Sequence, residues 1–332
     1  EEGVARLNVI ALDDTIFDRR RRHPDWPIDQ AAAWYQAPVG GLNLNDNCLD
    51  VAIDVEDGRI RLDLTPAIPA SFIDSRIKIG RHQPRVTRAP DSDIFEIRGS
   101  IAHSENLGPI AVGDPTVFFG YALRHELEVN GIECGPQIVR RTMTVEHLRS
   151  ARLLAIHKTA LRDVLWRANT YSQNLFAECL LKSLAAYEPD GSRSGRSGGW
   201  ESGHEVLRET LAALGVDLNG AVLRDGSGLS HDNRVTARQV VALLKAMQHH
   251  RYSDVFLGSL ARAGRSGSMR RRYADPQLVG RLIGKTGTIA GVRTLAGLLT
   301  RDDGGTLLFA LLIEGNVPAS LPVDICKALG GY

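Results

Sequence analysis

Two short groups of residues have the types and spacing to do chemistry. The first is Lys285-Thr286-Gly287, within Leu282-Ile-Gly-Lys-Thr-Gly-Thr-Ile, a stretch that reads as an edge strand just ahead of two apolar strands. A ligand lying along an edge strand can pair with its free backbone groups. Lys285 then supplies a fixed cation and Thr286 a hydroxyl for a terminal carboxylate, and Gly287 leaves room for close approach. The tripeptide by itself occurs in many unrelated chains. The second group is Ser172-Gln173-Asn174, between a helical segment ending near Ala168 and another running Leu175-Phe-Ala-Glu-Cys-Leu-Leu. A hydroxyl and a carboxamide two residues apart in a tight interhelical turn can face one pocket, Ser172 relaying a proton and Asn174 orienting a substrate amide. The same residues also suit a plain N-cap of the second helix, with Glu178 one turn later.

These groups need elements to hold them. A chain of 332 residues exceeds what one hydrophobic core usually serves, so two domains are expected. Residues 1–110 read as strands and turns, with alternating stretches such as Val51-Ala-Ile-Asp-Val and Arg59-Ile-Arg-Leu-Asp-Leu. From about Val117 the period changes. Phe118, Tyr121, Ala122, His125 and Leu127 fit a helix, and Val145 to Arg167 carries further helical spacing around Leu148, Leu153, Leu161 and Leu165. Glu188 to Gly203 is a Gly/Ser/Arg-rich exposed loop. A helix with Val206, Leu207, Leu211 and Leu214 on one face follows, with Gly215 where a C-terminal cap belongs. Thr236 caps another helix. Thr294 to Thr300 and Thr306 to Ile313 flank the turn Arg301-Asp-Asp-Gly-Gly as a hairpin, and a short helix closes the chain. Asp225-Gly-Ser-Gly is a turn leading to the Thr236 helix and is assigned to the scaffold.

Composition removes several classes. The net charge of +1, with both signs mixed along the chain, gives no support for a nucleic-acid partner. The runs Arg19 to Arg22 and Arg270 to Arg272 are short and read as solvated faces. No window approaches the roughly 18 apolar residues of a membrane span. Cys48, Cys134, Cys179 and Cys326 show no C-x-x-C spacing and are too few for a disulfide framework. None of the ten histidines has an H-E-x-x-H partner, and His249-His250 reads as surface, so no metal site is expected. Gly195-Arg-Ser-Gly-Gly satisfies G-x-S-x-G formally, but lies in the Gly/Ser/Arg loop rather than between a strand and a helix.

Taken together, Tyr171-Ser-Gln-Asn-Leu-Phe-Ala-Glu, Asp225-Gly-Ser-Gly-Leu-Ser, Gly267-Ser-Met-Arg and Lys285-Thr-Gly-Thr-Ile-Ala-Gly-Val-Arg-Thr-Leu-Ala-Gly resemble, in order, the class C low-molecular-mass penicillin-binding proteins. These are D-alanyl-D-alanine carboxypeptidases/endopeptidases. Trp34-Tyr-Gln-Ala-Pro-Val and Leu44-Asn-Asp-Asn-Cys are similar to segments of that family's large insertion, so the resemblance spans nearly the whole chain. It implies an α/β (α+β) fold: a penicillin-binding/β-lactamase-like transpeptidase domain at 111–332, its antiparallel sheet flanked by helices, with a β-rich inserted domain at 1–110. It implies that Lys285 and Thr286 hold the substrate's terminal carboxylate, that Gly287 and Asn174 complete the substrate-binding residues, that Ser172 and Asn174 act as above, and that the backbone N–H of Thr288 is half of an oxyanion hole. Gln173 departs from the more familiar Asp of Ser-Asp-Asn, at a position whose side chain carries none of the chemistry.

The family's nucleophile is the serine of a Ser-x-x-Lys at a helix start, its lysine one turn on. The literal match here, Ser75-Arg-Ile-Lys78, sits in Ile73-Asp-Ser-Arg-Ile-Lys-Ile, whose period of two marks a strand. On a strand residues i and i+3 face opposite ways, so Lys78 cannot serve Ser75. The nucleophile is therefore expected upstream of Glu1. The implied activity is serine-type DD-peptidase acyl transfer in peptidoglycan metabolism, without metal or organic cofactor, on stem peptides or D-amino-acid cross-links, with β-lactam antibiotics as inhibitors and a periplasmic or extracytoplasmic location. A non-catalytic peptidoglycan-binding homologue is the alternative, and a β-lactamase a third reading disfavoured by the insertion.

Overall fold

The computed structural model describes residues 3–331, so Glu1 lies outside the described residues. The chain divides into two compact units, Glu1–Ile156 with Ala186–Gly199, and His157–Ala185 with Trp200–Tyr332.

In the first unit β1 (Arg6–Leu12) precedes the antiparallel pair β2 (Cys48–Glu56) and β3 (Arg59–Thr65), then β4 (Ile73–Ser75), β5 (Lys78–Ile79), β6 (Gln83–Arg88), β7 (Phe95–Ile101) and β8 (Glu105–Ala111). Helix α1 (Pro115–Val129), β9 (Glu133–Arg140) and α2 (Val145–Ser150) follow. Strands order as β3-β2-β8 in one sheet, while β7 carries β4, β5 and β6 in another and β1 pairs with β9 in parallel. Alternation decides which face is buried. Leu49, Val51 and Ile53 from β2 meet Phe95, Ile97 and Ile101 from β7, and Val112 and Phe118 join the same core. Residues 111–156 fall in the first compact unit.

Ser75 ends β4 and Lys78 begins β5, both exposed and both on strands that pair with β7, in register with Ile97 and Ser100. No helix joins them. The expected helical run from Val145 to Arg167 is corrected: it is broken into α2 and α3 (Leu161–Thr170), and residues 151–160 have no regular structure. Leu148, Leu153 and Leu161 are all exposed. With no apolar face buried, nothing repays the cost of ordering a continuous helix.

The second unit contains α3, α4 (Asn174–Ala186), α5 (Trp200–Ala213), α6 (Ala237–Gln248) and α7 (Ser253–Ser259). A four-stranded sheet ordered β10-β11-β12-β13 follows, from β10 (Ala261–Arg262), β11 (Leu282–Ile289), β12 (Val292–Thr300) and β13 (Thr306–Glu314), before α8 (Leu321–Gly330). All of its pairings are antiparallel. Helix α6 packs on β13 and α8 on β12. Leu282, Leu295, Leu299 and Phe309 from the sheet share a core with Met269, Tyr273 and Cys326. Thr236 caps α6 as expected: its hydroxyl accepts from the Gln239 N–H at 3.2 Å, and Gln239 returns the contact to the Thr236 N–H at 2.9 Å.

Candidate active site

Strand β11 positions the first motif. Its partner β12 runs along its full length, whereas β10 covers only Ile283 and Gly284 on the other side. From Lys285 to Ile289 that second side pairs with no strand among the described residues, so the motif does lie on an open edge. The period of two turns Lys285 and Thr286 to opposite faces. Thr286 is buried, while Thr288 is exposed further along the same edge.

Lys285 reaches the second motif. Its Nζ donates to Ser172 Oγ at 2.6 Å and to its neighbour's carbonyl, Thr286 O, also at 2.6 Å. Among the described residues no carboxylate pairs with it. Burial pushes the ammonium down to a pKa of about 8, because a charge without a counter-ion is costly away from water. Ser172 itself stands at φ 60°, the left-handed region, between the end of α3 and the start of α4. A non-glycine residue there costs on the order of 1–3 kcal/mol and persists only where its surroundings impose it. Its hydroxyl accepts from Lys285. Asn174 is the first residue of α4, two positions on.

The geometry adds a residue that motif reading left without a role. Thr286 Oγ1 donates to Ser268 Oγ at 2.7 Å, so the Gly267-Ser268 segment closes the face of β11 opposite Lys285. Gly267, at φ 53°, presses so closely on the end of α3 that a Cβ would stand 1.8 Å from Thr170 O. Only glycine fits both the angle and the contact. Gly287 also proves necessary for an internal reason: a Cβ there would lie 2.3 Å from Thr294 Oγ1 on β12.

A second residue missed in the sequence is Glu178, one helical turn beyond Asn174 on α4. It is wholly buried and accepts hydrogen bonds from Trp200 Nε1 at 2.8 Å, Gly226 N at 2.9 Å and Ser227 N at 2.8 Å. Burial, and then the nearby Asp225 charge, push its carboxyl upward against these hydrogen bonds. The ammonium of Lys182, also buried, lies 3.8 Å from the centre of the Trp200 ring. Asp225 in turn accepts from Gly228 N, Ser230 N and Asn233 Nδ2 at 2.9, 2.7 and 2.9 Å. The Asp225-Gly-Ser-Gly loop is therefore folded on one carboxylate and pinned to α4 by another. A signal for this existed: Glu178 and Lys182 interrupt the apolar stripe Leu175, Leu181, Ala185, and charges on a buried stripe must be paired or hydrogen-bonded.

Chemically, the arrangement offers a cation with no carboxylate partner among the described residues, beside the hydroxyl of a serine in the left-handed backbone region, on an open strand edge. A model of the D-Ala-D-Ala carboxypeptidase 3 (S13) family matches residues 1–331. A D-alanyl-D-alanine carboxypeptidase of an Actinomadura species is 30% identical over 336 aligned positions, covering 94% of this chain and 60% of that protein. The D-alanyl-D-alanine carboxypeptidase DacB of Haemophilus influenzae is 21% identical, covering 95% of this chain and 67% of that protein. This chain thus spans well under the full length of both relatives. The crystal structure of penicillin binding protein 4 (dacB) from Haemophilus influenzae superposes with a TM-score of 0.81 at 20% identity, over 100% of this chain and 77% of that one. The same protein complexed with a novel β-lactam gives 0.69 at 21% identity, over 89% and 71%. The penicillin-binding α/β fold expected from the sequence is the fold of these structures.

Proposed function

Because the chain belongs to the D-Ala-D-Ala carboxypeptidase 3 (S13) family, we propose that it forms the carboxylate-anchoring and proton-handling half of a serine-type DD-peptidase site acting on peptidoglycan. The observation that carries this reading is the Lys285 ammonium, 2.6 Å from Ser172 Oγ and without a carboxylate partner among the described residues. A half-buried cation left unpaired by its own fold is matched by an anion from outside, and the C-terminal carboxylate of a D-Ala-D-Ala stem peptide is such an anion. Thr286 and Gly287 shape the strand edge along which the peptide lies. Asn174 orients the scissile amide. Ser172, hydrogen-bonded to a lysine whose pKa is lowered to about 8, is poised to pass a proton toward the leaving amine. The N–H of Thr288 faces the developing oxyanion. The second compact unit is the DD-peptidase domain in this reading, and the β-rich part of the first corresponds to the family's insertion.

Acyl transfer also needs the serine of a helix-borne Ser-x-x-Lys. The single Ser-x-x-Lys in these 332 residues is Ser75 to Lys78, on two strands. Turnover is therefore assigned to a protein that carries that segment, and these residues alone form no covalent penicillin adduct. β-Lactams occupy the same anchor through their own carboxylate, and an extracytoplasmic site of action follows from the substrate. Cleavage of D-amino-acid cross-links would use the same residues. The strand placement of Ser75 and Lys78 also favours a second reading, a non-catalytic peptidoglycan-binding homologue that keeps Lys285, Thr286 and Asn174.

The anchor is tested by binding, which needs no nucleophile. Peptides ending in D-Ala-D-Ala, with a free or an amidated C-terminus, are titrated against the chain and against Lys285→Ala. The free form should bind more tightly, and the variant should lose that preference. Equal loss on both forms removes Lys285 from the anchor. Mass spectrometry with a labelled penicillin, on the chain and on a protein containing a helix-borne Ser-x-x-Lys, separates the catalytic from the non-catalytic reading.

A further inference from the structure

The turn that carries Ser172 and Asn174 hangs between two fixed points. On one side is the end of α3. Thr170 Oγ1 donates to Ser259 O at 2.5 Å, Asn169 Nδ2 donates to Ser259 Oγ at 2.8 Å, and Gly267 is packed against Thr170 O. On the other side, four residues beyond Asn174, is Glu178. Its carboxylate gathers the Trp200 indole N–H from α5 and the Gly226 and Ser227 N–H groups from the loop, at 2.8, 2.9 and 2.8 Å. Both neighbours also touch the helix backbone directly. A Cβ on Gly226 would stand 2.7 Å from Ala177 O, and one on Gly203 of α5 would stand 2.3 Å from Leu181 O. Glycine at both positions lets two segments reach consecutive turns of α4.

Apolar packing alone would hold α4 less definitely. Leu175, Leu181 and Ala185 are buried on it, but such contacts are non-directional and leave a helix able to rotate or slide. Three hydrogen bonds converging on one carboxylate fix both motions. The arrangement is costly, since burial and the Asp225 charge push the Glu178 carboxyl upward, and an apolar side chain of similar volume would fill the space without that penalty. Residues four apart share one face of a helix, so a rotation of α4 that carried Glu178 off its donors would carry Asn174 with it. We infer that Glu178, with Gly226, is a positioning residue: the clamp sets the rotation of α4 and through it the aim of the Asn174 carboxamide at the scissile amide. The inference rests on the amide-orienting role proposed for Asn174 and adds to it the pair that keeps that side chain in line.

The test compares peptides ending in D-Ala-D-Ala with matched depsipeptides in which an ester replaces the scissile amide, both with a free C-terminus. Each presents Lys285 with the same carboxylate, so only the amide contact differs. Calorimetric titration of the unsubstituted chain should favour the amide about threefold to tenfold, the worth of one hydrogen bond. Asn174→Ala should bring that ratio to about one. Glu178→Gln replaces one acceptor oxygen by a donor, and Gly226→Ala pushes the loop off Ala177 while leaving the carboxylate intact. Each should also bring the ratio to about one, while the preference for a free over an amidated C-terminus stays. A purely structural role would lower the folded fraction, which circular dichroism reads, and would weaken amide and ester alike with their ratio kept. Adding Glu178→Gln to Asn174→Ala should change the ratio no further. A ratio that survives in either clamp variant, or a C-terminal preference lost along with it, overturns the clamp and leaves Asn174 standing. A ratio near one in the unsubstituted chain, or one unmoved by Asn174→Ala, overturns the reading of Asn174, and the clamp's role with it.

Discussion

Two cations withdrawn from water are treated in opposite ways in the two units. In the first, Arg88 at the end of β6 spends its guanidinium entirely on the protein. Nε donates to Ala111 O at 2.7 Å, Nη1 to Ala89 O, Pro90 O and Ser92 O at 2.7, 3.0 and 2.7 Å, and Nη2 to Ala31 O at 2.8 Å. Arg140 is ion-paired with Asp14 and Asp114, at 2.8 and 2.6 Å. In the second unit Lys285 has one hydroxyl, one carbonyl and, among the described residues, no carboxylate. A saturated buried cation is a structural tie, since every donor it owns already joins two parts of the backbone. An unsaturated one is a site, because the fold bears the cost of its burial without supplying the matching anion.

The comparison breaks first at Arg88. If it is a tie, Arg88→Met should orphan five backbone carbonyls and cost at least about 3–5 kcal/mol, placing it among the largest single-residue effects. Denaturant unfolding should show this as a lower midpoint. A loss below about 1 kcal/mol would mean that water replaces those bonds, and that saturation is no guide to role.

Glu178 sharpens the same contrast inside the second unit. Its carboxylate is as fully used as Arg88, by Trp200 and by two N–H groups of the Gly226-Ser227 turn. Glu178→Ala should cost on the order of 3 kcal/mol, as the buried Trp200 N–H and two half-buried backbone donors lose their acceptor. Glu178→Gln should recover little of it, because the amide turns an N–H toward one of those donors. A glutamine variant as stable as the parent chain would refute the hydrogen-bonded role of the carboxylate.

How far the sequence carried these assignments follows from the range of the interactions. Lys285 on a strand edge, Ser172 in an interhelical turn, the Arg301–Gly305 hairpin and the Thr236 cap are written in residues a few positions apart, and each stands where local patterning put it. Ser75 and Lys78 could be set aside for the same reason, since a period of two is visible in seven residues. Ser268 against Thr286 is different. That contact depends on Gly267 tucking under Thr170, a meeting of segments far apart in sequence that no periodicity encodes. Val145 to Arg167 failed for a related cause: helical spacing gives an amphipathic face, but only tertiary packing supplies the surface to bury it against. The packing of Gly287 against the Thr294 hydroxyl was likewise out of reach, because Thr294 sits on a strand whose register the sequence does not state.

Lys285 gives the third prediction, which reverses the pattern of the first two. Removing a buried charge with no carboxylate partner should leave stability within about 1 kcal/mol of the parent. Binding of a peptide with a free C-terminal carboxylate should nevertheless weaken roughly tenfold to hundredfold, the worth of one charge-assisted contact. Thermal melts and titrations on Lys285→Ala read the two quantities separately. A large loss of stability with the preference for a free C-terminus retained would make Lys285 a tie like Arg88.

The smallest effect is the most diagnostic, because its two consequences have opposite signs. Burial holds the Lys285 pKa at about 8, below the ordinary lysine range. The ammonium is therefore present below that pH and lost above it. A carboxylate binds only the protonated form, so raising the pH from 7 to 9 should weaken binding about tenfold, as the proton must be taken up again on association. For folding the sign is the reverse. Between about 8 and the ordinary lysine value the unfolded chain holds a proton that the folded chain has released, so this group's contribution to stability rises with pH. A site residue should thus show affinity falling while its stability contribution climbs through the same window, and Lys285→Ala should flatten both. A paired lysine would do otherwise: its pKa would stand high, and neither quantity would move before pH 10. Titrations and denaturation at matched pH values decide between them, and affinity that stays constant from pH 7 to 9 would place the titrating charge elsewhere than at the anchor.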